Sequence, residues 1–427
     1  MKITLFNKRI NLGSALFCIL MSSTMVNAQQ FPDYGYQPPA DWNESTFSLS
    51  QNYPSIQPEK PALPWESIDF RKEPEKYLWA ILNYGYEGNL EVDFEVQKNT
   101  KRNWFHAPWL HYGPNGREFV HGLTRERSSR PFELASTQTQ QFRNYAVGFY
   151  DAIGGYTIGQ VWKNPIKPDP KLASFPEGTV TFKLLFTTAT SSQVPFLEGA
   201  PEWVADIDHS PSAQQIRDNK VRLLQIDVAV KDKRSTKGGW IFGTFHYDKT
   251  ISNTNPWLRL RPLSLMWGDD PSLTAADYTN GNRPSESWVN ESSPVVAYRS
   301  NPPSGVTPPS TLGFSGRANG PVDNSVSSCI SCHGTAQIPA TSPMIPPATL
   351  SDAEKMRWFR NTKPGEAFDP ASASLDFSLQ LGVGIQNLAT FQASSKNLGG
   401  FFSNSKIKST SEKSLKMPEY HFTREPD

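Results

Sequence analysis

Two stretches near the middle of the chain carry an apolar residue at every second position, and this period constrains the fold more than any other feature. Residues 180–187 read VTFKLLFT and residues 224–231 read LQIDVAVK. Because successive side chains of a strand point to opposite faces of a sheet, the pattern predicts strands with one buried face. A polar, glycine-ended segment connects residues 224–231 to the apolar run 240–245, which predicts a hairpin.

Further short runs extend the predicted sheet. Residues 145–150 and 156–162 are aromatic and β-branched, and Gly154-Gly155 separates them like a turn. The 36 prolines and 28 glycines break the chain between such runs, and no long amphipathic helix lies between the predicted strands. These observations favour an α+β chain in which residues 67–300 form a β-rich, antiparallel sandwich or jelly-roll-like domain.

Composition divides the rest of the chain into segments. Residues 29–66 are rich in proline and aromatic residues without a period, which predicts an extended N-terminal arm. Residues 73–83 place four apolar side chains on one side of a helix. Residues 301–327 are rich in Pro, Gly, Ser and Asn and are interpreted as a linker, and residues 396–427 as a tail.

The N-terminus has the three regions of a secretory signal peptide. A basic start precedes the apolar run at residues 15–21, which is too short to span a bilayer, and residues 26–28 read VNA. We expect cleavage after Ala28 and localisation in the bacterial periplasm. Cys18 lies inside the apolar run without a small neighbour, so a lipid anchor is not expected.

Charge excludes two classes of partner. The 42 basic and 41 acidic residues leave a formal charge of +1, which provides no net field for nucleic acid or anionic lipid. Beyond the predicted signal peptide, no apolar run approaches 18 residues, so no membrane span is expected in the mature chain.

The strongest chemical signal is the sequence Cys329-Ile330-Ser331-Cys332-His333. Two thiols three positions apart can add to the two vinyl groups of one porphyrin, and the next histidine can then coordinate the iron. Cleavage after Ala28 would leave these as the only cysteines of the mature chain. A plain disulfide would not require His333, and a zinc site would need a further ligand pair. The motif therefore predicts one covalent haem c, bound through Cys329, Cys332 and His333.

The segment from Ser328 to about Phe391 resembles a c-type cytochrome domain, in which short helices follow a haem-attachment sequence. The remaining three quarters of the chain resembles the large N-terminal region of uncharacterised bacterial cytochrome-c-like proteins. The resemblance implies a small, mainly helical haem domain over residues 328–395. A capping box at residues 351–354 and the apolar run 375–391 predict its helices.

The family resemblance also implies a methionine on a proline-containing loop as the sixth iron ligand. Met344 lies in the sequence SPMIPP and is the preferred candidate. Met356, Met417 and His421 are alternatives, and an open coordination position is another.

The sixth ligand decides the function. If two protein residues coordinate the iron, the protein would carry single electrons to or from a periplasmic redox partner. The haem-maturation machinery would attach the haem beforehand. An open position favours a haem-c-dependent oxidoreductase with its substrate site at the interface between the β-rich domain and the haem. A third hypothesis makes the β-rich domain a docking module.

A weaker signal is the group His106, His111 and His121, which lies close to Arg117 in the sequence. It is interpreted as an ordinary polar loop, because spacings of five and ten residues match no metal motif. The alternatives are a second metal site or a polar wall beside the haem carboxylates, with His111 and Arg117 as the residues to test.

Overall fold

The computed structural model describes residue 31, residues 37–110, residue 112, residues 116–308 and residues 312–402. The predicted signal peptide, His111, Met417 and His421 lie outside these residues, as does most of the predicted tail. In the part of the chain that is described, no helix combines the length and the hydropathy that a membrane span requires.

Nine strands form one continuous antiparallel sheet. They are β1 (Trp104–Phe105), β2 (Thr124–Ser129), β3 (Phe142–Asp151), β4 (Val180–Thr187), β5 (Glu202–Val204), β6 (Lys220–Lys231), β7 (Trp240–Tyr247), β8 (Leu260–Met266) and β9 (Ser287–Val289). The order across the sheet is β1-β3-β4-β6-β7-β8-β9, with β2 paired to β3 and β5 paired to β6. A separate two-stranded sheet joins β10 (Gln337–Ile338) to β11 (Ala373–Ser374).

The prediction of a large antiparallel β-rich domain is confirmed, and so is the hairpin between β6 and β7, where Lys231 pairs with Trp240. The described strands differ from a sandwich because they form one large sheet and not two packed ones. Helices and loops cover both of its faces in place of a second sheet.

Eight α-helices are present among the described residues. They are α1 (Pro74–Tyr86), α2 (Ala152–Val161), α3 (Ala213–Asp218), α4 (Ala275–Thr279), α5 (Pro294–Ser300), α6 (Cys329–His333), α7 (Asp352–Lys355) and α8 (Leu379–Phe402). The helix predicted at residues 73–83 is confirmed as α1. The capping box predicted at Ser351 is also confirmed, although α7 has only four residues.

The strand predicted at residues 156–162 is wrong, because residues 152–161 form helix α2. Its N-terminus is capped by Asp151, whose carboxylate accepts a hydrogen bond from the Gly154 N–H at 2.9 Å. A Cβ atom on Gly155 would lie 2.4 Å from the ring of Phe105, so this glycine allows the helix to pack closely on β1. The glycine pair serves helix packing and not a hairpin turn.

Each face of the sheet has its own apolar core. Helix α1 packs on the first face, which carries Phe182, Leu184 and Phe186. The second face is covered by the C-terminal segment, residues 328–394. Their shared core, here called the second-face cluster, combines sheet residues with C-terminal ones: Tyr150, Trp240, Phe242 and Met266 with Ile330, Phe377, Leu379 and Leu388. The C-terminal segment therefore shares its core with the sheet, and the predicted domain bounds stay a prediction.

The two segments predicted as an arm and a linker also contribute to the interior. Phe47 and Trp65 of the arm are buried, although the described residues between 37 and 66 form no helix or strand. In the segment 301–327, Arg317, Ala318 and Val322 are buried. These segments bury side chains on the sheet domain and hold the loops that precede α6.

Candidate functional site

Helix α6 presents Cys329, Cys332 and His333 from one helical turn and begins at a reciprocal cap. The Ser328 hydroxyl accepts the Ser331 N–H at 2.9 Å, and the Ser331 hydroxyl accepts the Ser328 N–H at 2.7 Å. The Ser328 hydroxyl also donates to Asp269 at 2.7 Å. The cap fixes the start of the helix and hence the positions of the two thiols.

A buried arginine anchors the loop that leads into this helix. Arg317 is fully buried, and its guanidinium lies 4.6 Å from the ring centroid of Phe359. It donates hydrogen bonds to the backbone carbonyls of Asp269, Asp270, Leu273 and Phe314. Burial raises the pKa of the neighbouring Asp269 to about 7. Sequence reasoning missed Arg317, because a single arginine in a Pro- and Gly-rich segment gives no signal of burial.

The two thiols are free and half-buried. Burial raises the pKa of Cys332 to about 12 and the pKa of Cys329 well above its ordinary value, and nearby carboxylates raise both further. Both side chains are therefore uncharged thiols at neutral pH, whereas metal-binding cysteines are thiolates. Among the residues that the structure describes, no group of three or more His, Cys, Asp or Glu is arranged to hold a metal ion.

His333 is neutral, and one of its ring nitrogens has a fixed role. Its Nδ1 lies 2.9 Å from the backbone oxygen of Phe377, which can only accept, so Nδ1 carries the proton. Burial lowers the pKa of His333 to about 4. The Nε2 atom consequently keeps its lone pair, which is the state that a ligating imidazole requires. The ring lies 4.8 Å from that of Phe242 on β7.

The Phe377 carbonyl is itself held in place by an unusual turn. Asp376 and Phe377 both have left-handed backbones, with φ of 46° and 70°. The Asp376 carboxylate accepts hydrogen bonds from Lys231 Nζ at 2.6 Å, from Trp240 Nε1 at 3.1 Å and from the Phe175 N–H at 2.8 Å. Such strain persists only where the surroundings fix it. The helix predicted over residues 375–391 is wrong at its start, because this turn precedes α8.

Met344 lies in a stiff loop against the second-face cluster, which the two thiols also contact. The loop is fixed by Asp369, which accepts from the hydroxyls of Thr341 at 2.5 Å and Ser342 at 3.0 Å. Trp358 Nε1 donates to the Pro343 carbonyl at 3.1 Å. Met356, the alternative candidate within the described residues, packs in a different cluster with Trp358, Phe359 and Phe368.

The predicted histidine group contains two neutral rings with different partners. His106 is buried, its Nδ1 accepts the Ser50 N–H at 2.9 Å, and burial, followed by the charge of Arg117, lowers its pKa to about 3. His121 stacks on Trp203 with ring centroids 4.2 Å apart, and burial lowers its pKa to about 4. These contacts fit the interpretation as ordinary core and loop histidines. The third member, His111, lies outside the described residues.

A small cavity of about 30 Å³, large enough for a water molecule, lies between the second face of the sheet and the loop that carries His106. This volume admits water but is far below that of a site for a drug-sized molecule. The polar and charged side chains of its lining are His106, Arg117, Thr124, Glu126, Lys183 and Gln380. A Cβ atom on Gly148 would lie 2.3 Å from Gln380 Nε2, so glycine lets the start of α8 approach β3 closely.

Sequence reasoning placed Lys183 and Asp227 on a polar face without a function. The register pairs Lys183 with Asp227 across β4 and β6, and Asp227 with Thr244 across β6 and β7. The alternation of the strands indicated their polarity. It could not indicate that the C-terminal segment covers this face.

No protein-family model, curated protein or solved structure matches this chain.

Proposed function

We propose that this chain is an exported, periplasmic c-type cytochrome that carries one haem. Cys329 and Cys332 would hold the porphyrin through two thioether bonds, and His333 Nε2 would coordinate the iron. The observation that carries the proposal is the hydrogen bond from His333 Nδ1–H to the Phe377 carbonyl, beside the free thiols of Cys329 and Cys332 on the same helical turn. The bound haem would supply one-electron chemistry.

Part of the surroundings of α6 is apolar, as a bound porphyrin would require. The second-face cluster provides apolar contact, with Phe242, Ile330 and Phe377 close to the attachment residues. Residues 328–395 would form the cytochrome-c-like part of the chain, with the sheet as one wall of the haem site. The haem-maturation machinery would attach the haem after export, and the protein would then exchange electrons with a periplasmic redox partner.

Met344 would complete the iron coordination. It packs against the same apolar cluster as the thiols, on a loop fixed by Asp369 and Trp358. A thioether sulfur as the sixth ligand closes the iron to substrates and favours electron transfer.

A second candidate function is favoured by the cavity beside the sheet. A haem-c-dependent oxidoreductase needs a substrate site near its haem, and this small polar cavity would admit only a substrate of a few atoms, such as peroxide or O₂. The two candidates differ in whether the iron accepts an external ligand.

The test is an absorption spectrum of the mature chain from residue 29, produced with haem-maturation machinery. We expect one covalent haem per chain, with a low-spin spectrum that carbon monoxide leaves unchanged after reduction. A high-spin haem that binds carbon monoxide would favour the oxidoreductase. A purified, folded chain without covalent haem would overturn both candidates.

Replacing Met344 with alanine should open the iron. We expect Met344→Ala to bind carbon monoxide after reduction and to have a lower reduction potential, because the sulfur ligand favours the reduced iron. Spectra and redox titrations of this variant and the wild-type protein provide the measurement. The matched control is Met356→Ala, which removes the same side chain from a different cluster and should leave the spectrum unchanged. An unchanged Met344→Ala spectrum would remove Met344 from the site.

A further inference from the structure

The second face of the sheet holds an excess of negative charge beside the predicted attachment helix. Glu126 on β2, Asp227 on β6 and Asp323 in the loop before α6 all interact with Lys183 on β4. Lys183 Nζ lies 3.2 Å from Asp227. Burial opposes the charge of Lys183, but the three carboxylates together raise its pKa above its ordinary value. One ammonium group is thus shared among three carboxyl groups.

Two of these carboxyl groups have hydrogen-bond donors that stabilise the charged form. Asp227 accepts from Thr244 Oγ1 at 2.9 Å and from Gln225 Nε2 at 3.0 Å. Asp323 accepts the Gly320 N–H at 2.8 Å, although burial and then Asp227 still raise its pKa. The Glu126 carboxylate has no hydrogen-bond donor among the described residues. Burial raises the pKa of Glu126, and the negative charges of Asp323 and Asp227 raise it further, whereas the positive charge of Lys183 lowers it. Glu126 is therefore the carboxyl group of this set whose charged form no hydrogen bond stabilises.

The cluster adjoins the cavity and acts electrostatically on both thiols. Asp323, Lys183 and Glu126 each act electrostatically on Cys332. Glu126 and Lys183 also line the small cavity, whose volume of about 30 Å³ and polar lining suit water. Lys183, Asp227, Asp323 and Cys332 interact electrostatically with Glu126, and Arg127 acts on Asp323. Arg117 and His106 lie elsewhere on the cavity wall.

We propose that Glu126 is a proton-binding site that makes electron transfer by this chain proton-coupled, an inference that rests on the proposed haem. One electron from a redox partner adds one negative charge next to the cluster. Glu126 would gain one proton from the bulk solvent by way of the cavity, which forms its O–H bond and offsets the added negative charge. Reoxidation returns the electron to a partner and the proton to water.

The expected signature is a reduction potential that falls as the pH rises. Reduction raises the proton affinity of Glu126, so the potential depends on pH between the pKa of Glu126 in the oxidised protein and its higher pKa in the reduced protein. For one proton per electron the limiting slope is about 59 mV per pH unit. Outside this window the potential is independent of pH.

The test is a spectroelectrochemical titration of the haem-loaded mature chain between pH 5 and pH 9. We expect a pH-dependent potential in the wild-type protein and a flat profile in Glu126→Gln, which keeps the shape of the side chain but cannot ionise. Asp93→Asn is the matched control, because burial also raises the pKa of Asp93, but it contacts Trp203 in the core of the other face. It should keep the wild-type slope.

Two further measurements keep the outcome decisive if Glu126→Gln folds poorly. Removing the ammonium with Lys183→Met should raise the proton affinity of Glu126 and move the window to higher pH. A reduced-minus-oxidised infrared difference spectrum of the wild-type protein should show a protonated carboxyl group on reduction. A haem-loaded wild-type chain with a flat profile would overturn this inference and leave the proposed function intact, whereas a chain without covalent haem would overturn both.

Discussion

Replacing both Cys329 and Cys332 with serine is expected to abolish covalent haem attachment completely. Residues 29–427 contain no other cysteine, so in the expected mature form no other thiol could form a thioether bond. Serine keeps the size of each side chain, and both positions are only half-buried, so the fold should survive the change. Haem staining after denaturing electrophoresis and acid extraction of the haem provide the measurement.

The single variants Cys329→Ser and Cys332→Ser are the matched controls. Each keeps one thiol on the helical turn and should retain haem through a single thioether bond, although in lower yield. Circular dichroism of the double variant separates loss of attachment from loss of folding. Haem that resists extraction from the double variant would show that attachment does not depend on these thiols.

The largest expected effect on stability comes from Asp376→Ala. In the wild-type pair the side chain of Lys231 is 9% exposed and that of Asp376 is 1% exposed. The variant therefore leaves the ammonium group of Lys231 buried without a carboxylate partner. Removing one partner of a buried pair costs about 3–5 kcal/mol in the free energy of unfolding. Urea unfolding of the mature chain measures the effect, and the same variant should disturb the carbonyl that orients His333.

Two controls isolate the charge. The double variant Lys231→Met, Asp376→Ala removes both charges and should recover part of the lost stability, because no uncompensated charge remains. Glu198→Ala breaks a surface pair with Lys249 at 2.7 Å, where both side chains are exposed, and should leave the free energy of unfolding almost unchanged. A loss below about 1 kcal/mol in Asp376→Ala would contradict the assigned role of the pair.

The sheet was predictable where the side-chain period is local. Strands β4 and β6 have the alternation of a sheet with two different faces, and the β6–β7 hairpin has a polar connection, so both follow from residues close together in sequence. Helix α2 was mistaken for a strand because its aromatic and β-branched residues fit both structures. Helix α2 packs closely on β1 where Gly155 approaches Phe105, and these two residues are fifty positions apart in the sequence.

Only the sequence motif of the candidate site was predictable. The spacing of Cys329, Cys332 and His333 is visible in the sequence, and so is the proline-rich setting of Met344. The carbonyl that orients His333 lies 44 residues further along the chain. The carboxylates around Lys183 come from β2, β6 and the loop before α6, and a sequence pattern cannot show that tertiary folding gathers them.

The core that the C-terminal segment shares with the sheet imposes an order of assembly on the proposed cytochrome. In the folded chain the thiols of Cys329 and Cys332 are half-buried, and both contact the cluster formed by Phe242, Ile330 and Phe377. A maturation enzyme that carries a haem has to reach both thiols, and the packing of the C-terminal segment on the sheet obstructs this access. Haem attachment would therefore come first, on a chain whose end is still undocked, and the sheet would close over the finished group as the last step of biogenesis.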